Sequence, residues 1–495
     1  MGLIQVVYGL IPWMQKNDFY VHELLKIISG DYVDKIDLTK AETILNKWGR
    51  SPNNFKTTGK VIPMKIVSFL TVIFLLLSFI FDNGFVYADE LLSHWNPYRS
   101  YIPPTNIVGS GGDDMGVRLI DLNGDGLLDI VQSRGKSHGA WINNGNSWRE
   151  TKYITPPIVG DGRVQQGDMG VRFLDLNGDG LLDIVQSREN YPGKIASINT
   201  GNDWSNNQNN YTPPPYIVDS KGDDMGVRLI DFNGDGLLDM VQNQYISSSN
   251  SKTGAWFNTG NDWRESQNGY IPPTNIVADG KGDMGVRLID FNGDGLLDMV
   301  QNRWISSSKS QTGAWFNTGN GWSESQNDYI PPTNIVADGK GDMGVRLIDF
   351  NGDGLLDMVQ NRWISSSKSQ TGAWFNTGNG WSESQNDYIP PTNIVADGKG
   401  DMGVRLIDLN GDGLLDMIQN QSDSQKGAWI NNGNGWSEEK EYIPPTPIVV
   451  EGQGDMGVRL IDLNGDGLLD IVQSRADWRT GAWINSRKLV KIASQ

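Results

Sequence analysis

Along most of this chain short apolar segments and polar stretches alternate in one fixed order, and the order returns seven times. In a representative unit, Met343-Gly344-Val345-Arg346-Leu347-Ile348 is followed by the acidic stretch Asp349-Phe350-Asn351-Gly352-Asp353-Gly354-Leu355-Leu356-Asp357 and then by Met358-Val359-Gln360. The apolar segments are too short for helical periodicity and are bounded by glycine and aspartate, so they predict a β-hairpin with the acidic stretch at its tip. After a variable polar connection, Gly372-Ala373-Trp374-Phe375-Asn376 predicts a third strand, and the Ile335-Val336 pair that follows Pro331-Pro332 predicts a fourth. The prolines stand only ahead of that strand, where no ladder donor is lost.

The first aspartates of the seven acidic stretches are spaced by 54, 56, 59, 59, 59 and 54 residues. A period of roughly 40 to 60 residues built from short strands and turns is the signature of propeller blades, whereas helical solenoids need long stretches of helical period. The predicted fold is all-β, a seven-bladed β-propeller of four-stranded blades over residues 89–495. The units fill the chain from Trp95 to the last Gly-Ala-Trp-Ile-Asn segment, so the ring is expected to close on itself without room for another domain. Residues 271–329 and 330–388 are identical, an internal duplication that makes copy number labile.

The acidic stretch carries the chemistry. Its positions 1, 3, 5 and 9 offer side-chain oxygens and position 7 a carbonyl, while the glycines allow the positive-φ turns that wrap such ligands around a hard cation. The candidate ligands are Asp121, Asn123, Asp125 and Asp129; Asp175, Asn177, Asp179 and Asp183; Asp231, Asn233, Asp235 and Asp239; Asp290, Asn292, Asp294 and Asp298; Asp349, Asn351, Asp353 and Asp357; Asp408, Asn410, Asp412 and Asp416; and Asp462, Asn464, Asp466 and Asp470. All-oxygen loops of this kind suit Ca²⁺ better than Mg²⁺, which keeps more water, or transition metals, which want nitrogen or sulfur. About seven Ca²⁺ per chain are therefore expected. Three carboxylates at about 5 Å repel by roughly 3 kcal/mol per pair at an effective dielectric near 20, which disfavours a metal-free loop repeated seven times. An EF-hand would place its last acidic ligand at position 12 between two helices, a pattern this chain lacks.

A formal net charge of −18 speaks against nucleic acid as a partner. The absence of cysteine removes disulfides, thiolate metal sites and cysteine nucleophiles, and three histidines (His22, His94 and His138) are too few for a repeated zinc site. No acid/base pair or Ser/His/Asp set stands outside the repeated pattern, so the chain does not read as an enzyme. Tryptophan occupies the Gly-Ala-Trp site of six units (Trp141, Trp256, Trp315, Trp374, Trp429 and Trp483) and Ser197 replaces it in the second. These aromatics read as interblade core, with a sugar-stacking platform as the functional alternative. Each Asp-Met-Gly ahead of a loop is followed by an arginine two residues after its glycine, as in Asp342 and Arg346, which predicts an ion pair bracing the hairpin.

The D-x-N-G-D-G-x-x-D loops between short β segments resemble the FG-GAP/VCBS repeats of integrin α-subunit propellers and of many bacterial surface proteins, over residues from about 95 to 486. The resemblance implies Ca²⁺ in the hairpin loops and a seven-bladed ring. Asp-Met-Gly-Val-Arg stands where that family has Phe-Gly, and Val-Gln-Ser-Arg or Val-Gln-Asn-Arg where it has Gly-Ala-Pro. Similar repeats occur in calcium-bearing fungal lectins of seven blades. Two functions follow as expectations: a non-enzymatic binding or adhesion module with an extracellular protein or glycan ligand, and a multivalent lectin with interblade carbohydrate sites.

Ahead of the repeats, Ile66 to Phe81 form a sixteen-residue uncharged run, preceded by Met64-Lys65 and followed by Val86-Tyr87-Ala88. Residues 64–88 have the form of a secretory signal peptide, and the run is short for a membrane anchor, which wants about 20 residues; an anchor at 66–81 is the alternative and the sole expected membrane contact. Residues 1–63 read as an N-terminal extension, either the product of a mis-set start, with Met64 as the true one, or a small cytoplasmic tail, the first being preferred. Lysines before the run and acidic residues after it send the repeats across the membrane, to the cell surface or the medium. N-terminal sequencing of the secreted chain is expected to begin at Asp89; a membrane-embedded product retaining residues 1–63 would decide for the anchor.

Overall fold

The computed structural model describes residues 93–152, 168–190, 193–205, 208–266, 268–324, 326–383, 385–422 and 424–486. The expectations for residues 1–63 and for the apolar run at 66–81 lie outside them. Among the described residues no helix is long and apolar enough to cross a membrane.

The chain is an all-β, seven-bladed β-propeller, one blade for each unit of the sequence. In blade 1, Val117–Ile120, Asp129–Arg134, Ser137–Asn143 and Trp148–Glu150 pair antiparallel in chain order. The acidic stretch joins the first two strands, as its glycine-rich sequence requires. The four residues Val-Arg-Leu-Ile recur as first strand with their ends buried, and the second strand is buried through its first five residues, so it lies covered on both faces.

The fourth strand is not the expected one. Where a fourth strand forms, it is the short Trp-x-Glu segment after the Gly-Asn turn, as in Trp263–Glu265 and Trp436–Glu438, and blades 2, 4 and 5 reduce it to one bridge, such as Asn317 with Trp322. The pair after Pro-Pro instead crosses to the neighbour. Val336 and Ala337 pair in parallel with Arg303 and Trp304 at the far end of blade 4, then turn back against Gly341–Asp342. Prolines before the pair and a turn at Gly339 (φ 70°) after it leave room for only two ladder residues, enough to splice blades but not to complete one.

The ring closes with its first strand. Trp95–Pro97 pairs with Thr480–Asn485 and supplies the fourth strand of blade 7, with Trp95 opposite Asn485 as Trp148 stands opposite Asn143 in blade 1. Further seam contacts repeat around the ring. Trp322 Nε1 donates to the Tyr270 carbonyl at 3.1 Å, Trp381 to that of Tyr329 at 3.0 Å, and Trp95 to that of Tyr442 at 2.9 Å.

The Gly-Ala-Trp tryptophans belong to the interblade core: Trp315 packs against the cluster that contains Phe232, Val241 and Ala255. Its indole also folds back over Gly313, where an added Cβ would lie 2.1 Å from the ring. The second unit confirms the coupling, because Ser197 stands there with Ile195 in the glycine position. Gly313→Ala is expected to cost on the order of 1 to 3 kcal/mol in chemical denaturation, the range for overpacking. The pair Gly313→Ile with Trp315→Ser, which copies blade 2, should recover part of that loss; a single Gly313→Ala change without effect would refute the coupling.

Candidate functional site

Each acidic loop is shaped by its own backbone. In blade 5, Asp349 Oδ1 accepts the N–H groups of Gly352 at 2.7 Å and Asp353 at 3.2 Å, and its Oδ2 accepts that of Gly354 at 2.9 Å. Asp353 Oδ1 accepts the Leu355 N–H, and its Oδ2 the Asn351 side-chain N–H, each at 2.9 Å. Gly352 and Gly354 hold φ of 75° and 88°, the left-handed region in which a side chain would strain the turn. The same arrangement recurs at Asp121, Asn123 and Asp125 and in the other five loops.

The ninth position goes elsewhere. Asp357 is fully buried; its Oδ2 accepts the Phe350 N–H at 3.0 Å and its Oδ1 the Asn376 N–H at 2.8 Å. Asp129, Asp183, Asp239, Asp298, Asp416 and Asp470 are equally enclosed and bonded in the same way. Burial raises their carboxyl pKa, and the charges at positions 5 and 1 add to the rise against the two backbone bonds. Asp129, Asp183 and Asp298 reach about 6, and Asp239, Asp357, Asp416 and Asp470 about 7.

Positions 1, 3 and 5 are thus gathered in each loop, while position 9 is turned into the core. Among the described residues no three acidic or histidine side chains converge on one point. The all-oxygen donor set fits a hard cation, which would be held by Asp349, Asn351 and Asp353 and the carbonyl of position 7, with Asp357 as the carboxylate behind them. When bound, such an ion would supply positive charge to a cluster in which the carboxylates at positions 1 and 5 help to raise the pKa of the ninth-position aspartate.

The loops also touch one another. Leu414 of blade 6 lies where a Cβ on Gly352 of blade 5 would come within 3.3 Å, and Leu127 of blade 1 stands in the same way 3.3 Å from Gly465 of blade 7. The acidic loops therefore form a joined band on one face of the ring, and none contains lysine or arginine. The opposite face holds the tips of the hairpins between second and third strands. There the expected brace is present in every blade, from Arg118–Asp114 at 2.8 Å to Arg459–Asp455 at 3.0 Å. That face also carries aromatics the motif reading passed over, Tyr245, Trp304, Trp363 and Trp478, because they lie in the connections that vary between units.

A family model of FG-GAP-like repeats matches residues 121–185 and 408–472. Each window runs from the first aspartate of one acidic loop into the second strand of the next blade. No curated protein matches the sequence. Among solved structures the chain is similar to an Agrocybe aegerita lectin described as recognising non-reducing terminal N-acetylglucosamine, at 18% identity over 66% of this chain and 78% of that one, with a TM-score of 0.47. It is also similar to the V. cholerae biofilm matrix protein Bap1 (11% identity, 75% and 87% covered, TM-score 0.31) and to the exotype rhamnogalacturonan lyase YesX (13%, 79% and 75%, TM-score 0.36). These are low-level likenesses to proteins of unlike activity. With the same loop-to-loop unit standing in all seven blades of a closed ring, the chain belongs to the FG-GAP repeat family.

Proposed function

We propose that this chain is an exported, calcium-binding, non-enzymatic binding or adhesion module that works at the cell surface or in the medium on an extracellular protein or glycan. An FG-GAP-like propeller is consistent with a binding module. The observation that carries the reading is the contrast between the two faces of the ring. One face repeats the same acidic loop seven times. The other varies, from the short turn after Asp129–Arg134 in blade 1 to the long arms Asp239–Ser247, Asp298–Ser306 and Asp357–Ser365 of blades 3 to 5. Varied connections on a rigid repeat scaffold are the usual place for a ligand surface.

The non-enzymatic part is supported by what happens to the carboxyls whose pKa would suit proton transfer near neutral pH. They are the ninth-position aspartates, enclosed and committed to backbone N–H groups. The lectin reading has its own support in grooves between blades. One, of about 400 Å³, has Asp455 and Arg459 of blade 7 on one side and Val117 and Leu119 of blade 1 on the other. A second, of about 600 Å³, sets Asp342 and Arg346 beside Val395, Ala396 and Asp401. A glycan array on which the folded chain finds no hit would remove the lectin reading and leave a protein ligand.

Metal analysis is expected to give about seven Ca²⁺ per chain; one or two would mean that most loops are turns and nothing more. At roughly millimolar calcium, sites of about 10⁻⁴ M each add about 1.4 kcal/mol, so seven add about 10 kcal/mol, comparable with the stability of a whole domain. Excess chelator should lower the melting temperature by many degrees in one cooperative transition, and Asp353→Ala should remove one such increment. An unchanged melting curve would overturn the calcium reading.

In the chelated protein the ninth-position aspartates set a second expectation. Their folded pKa of about 6 to 7 lies above the ordinary aspartate value of 3.8, so their contribution is fully present below about pH 4 and is lost as pH rises through 6 to 7. The chelated chain should therefore melt higher at pH 5 than at pH 7.5. Calcium should narrow that difference by stabilising the ionised loops; a chelated chain more stable at pH 7.5 would contradict the assignment.

A further inference from the structure

We propose that the arms of blades 4 and 5 form two adjacent sites for an acidic polysaccharide, each made of a tryptophan face and a lysine, on the face of the ring opposite the acidic loops. The proposal rests on the binding-module reading and adds to it the class of ligand and its place.

The two sites are built alike. Trp304 and Trp363 are half-buried near the ends of the second strands, each fixed by a parallel pairing to the following splice, with Ala337 and Ala396. Their carbonyls accept the N–H groups of Asp338 and Asp397 at 3.0 and 2.9 Å. Beside them Arg303 and Arg362, 3% and 2% exposed, are ion-paired with the same two aspartates, which pins the turn next to the indole. From that turn the exposed Lys340 brings its Nζ to 5.7 Å from the centroid of the Trp304 ring. Lys399 occupies the matching position in the next turn and is ion-paired with Glu451 at 3.0 Å.

An indole face beside one ammonium matches a sugar ring, whose C–H face stacks on the aromatic while its carboxylate or sulfate meets the cation. A phosphodiester chain selects clustered Lys and Arg, and here both arginines are enclosed and spent. The arm tips are serines, Ser306 to Ser308 and Ser365 to Ser367, which offer hydroxyls and nothing to insert into a bilayer. The two arms lie within the identical stretches 271–329 and 330–388, so neighbouring blades present the same chemistry side by side. Only a ligand that itself repeats can use both, and linking the two contacts multiplies affinity. The overall charge of −18 does not prevent this, because the loops that carry much of it are on the other face, while Lys221, Lys281, Lys340 and Lys399 lie on this one.

The test is binding of the full chain in calcium to immobilised hyaluronate, polygalacturonate and dextran sulfate, each set against an uncharged counterpart: carboxyl-reduced hyaluronate, methyl-esterified polygalacturonate and dextran. The expected result is retention on at least one anionic polymer, weakened by salt, with at least tenfold less retention on its neutral form. Trp304→Ala with Trp363→Ala should reduce affinity tenfold or more. Lys340→Glu, an exposed change that leaves packing alone, should reduce it several-fold at unchanged melting temperature, and Trp304→Ala should cost more than Trp363→Ala because Lys399 already has a partner. Equal binding of neutral polymers, or binding insensitive to both Lys340→Glu and the tryptophan pair, would overturn the proposal while leaving a binding module. Failure of the folded chain to bind any anionic polymer would overturn it too, and capture of a protein ligand in that case would keep the broader reading.

Discussion

At the head of the second strand in every blade a carboxylate is shut away from water and bonded only to backbone, and the rest of the ring is arranged around it. Enclosing such a group is costly unless hydrogen bonds compensate it. Asp357 receives two, from Phe350 at the start of its loop and from Asn376 at the end of the third strand. That pair of bonds fixes the hairpin and the third strand relative to each other. It also aims Asn376, whose side-chain N–H donates to the Phe291 carbonyl of the preceding blade at 3.0 Å. One side chain therefore sets the shape of a loop, the end of a strand and the seam to a neighbour.

The seam repeats until the ring is closed. Asn199 reaches back to Leu122, Asn431 to Phe350 and Asn485 to Leu409, and Asn143 of blade 1 reaches the Leu463 carbonyl of blade 7 at 2.9 Å. The accepting residues are fully buried, so six of the seven loops are gripped from below by the next blade while their charged side chains stay in water; Asn258 of blade 3 does not make this bond to blade 2. A linear stack would leave one such grip unmade, with its donor at one end and its acceptor at the other. Trp95, almost wholly enclosed, fills the place that the chain's last blade leaves open, and the closed ring makes every blade's packing depend on two neighbours.

Much of this was legible in the sequence because it recurs: seven spaced loops, the hairpin they cap, the Asp–Arg brace and the closure implied by units that fill the chain. The fourth strand was not, since Ile335-Val336 and Trp-x-Glu are both short and β-prone, and only the three-dimensional course shows that the first splices blades while the second completes one. The spacing places Asp357 among the loop carboxylates but cannot show its two backbone N–H partners, since a carboxylate facing a cation and one bonded to N–H groups both need an aspartate at that place. The Gly313 and Trp315 coupling was present in the sequence all along, in the joint replacement by Ile195 and Ser197, but its reason is an indole lying over a bare Cα. Trp304 and Trp363 escaped notice because a reading by repeats discounts what changes from one repeat to the next.

The backbone bonds within the loops bear on what a cation could contribute there. Asp349 already gathers three N–H groups, and the glycines between them already hold positive φ, so the loop owes its shape to its own hydrogen bonds. A ligand entering a formed site pays little for ordering it. What remains uncompensated is charge: two carboxylates at the surface of each loop, a third beneath them whose pKa they help to raise, and the next loop in contact through a leucine on a glycine. An ion held in one loop weakens the negative field at its neighbours, so each further ion entering the band is attracted less strongly than the one before. Repulsion left unrelieved acts first on the ninth-position carboxylate, the group on which the seams depend, so charge on the surface of one face is tied to the cohesion of the whole ring.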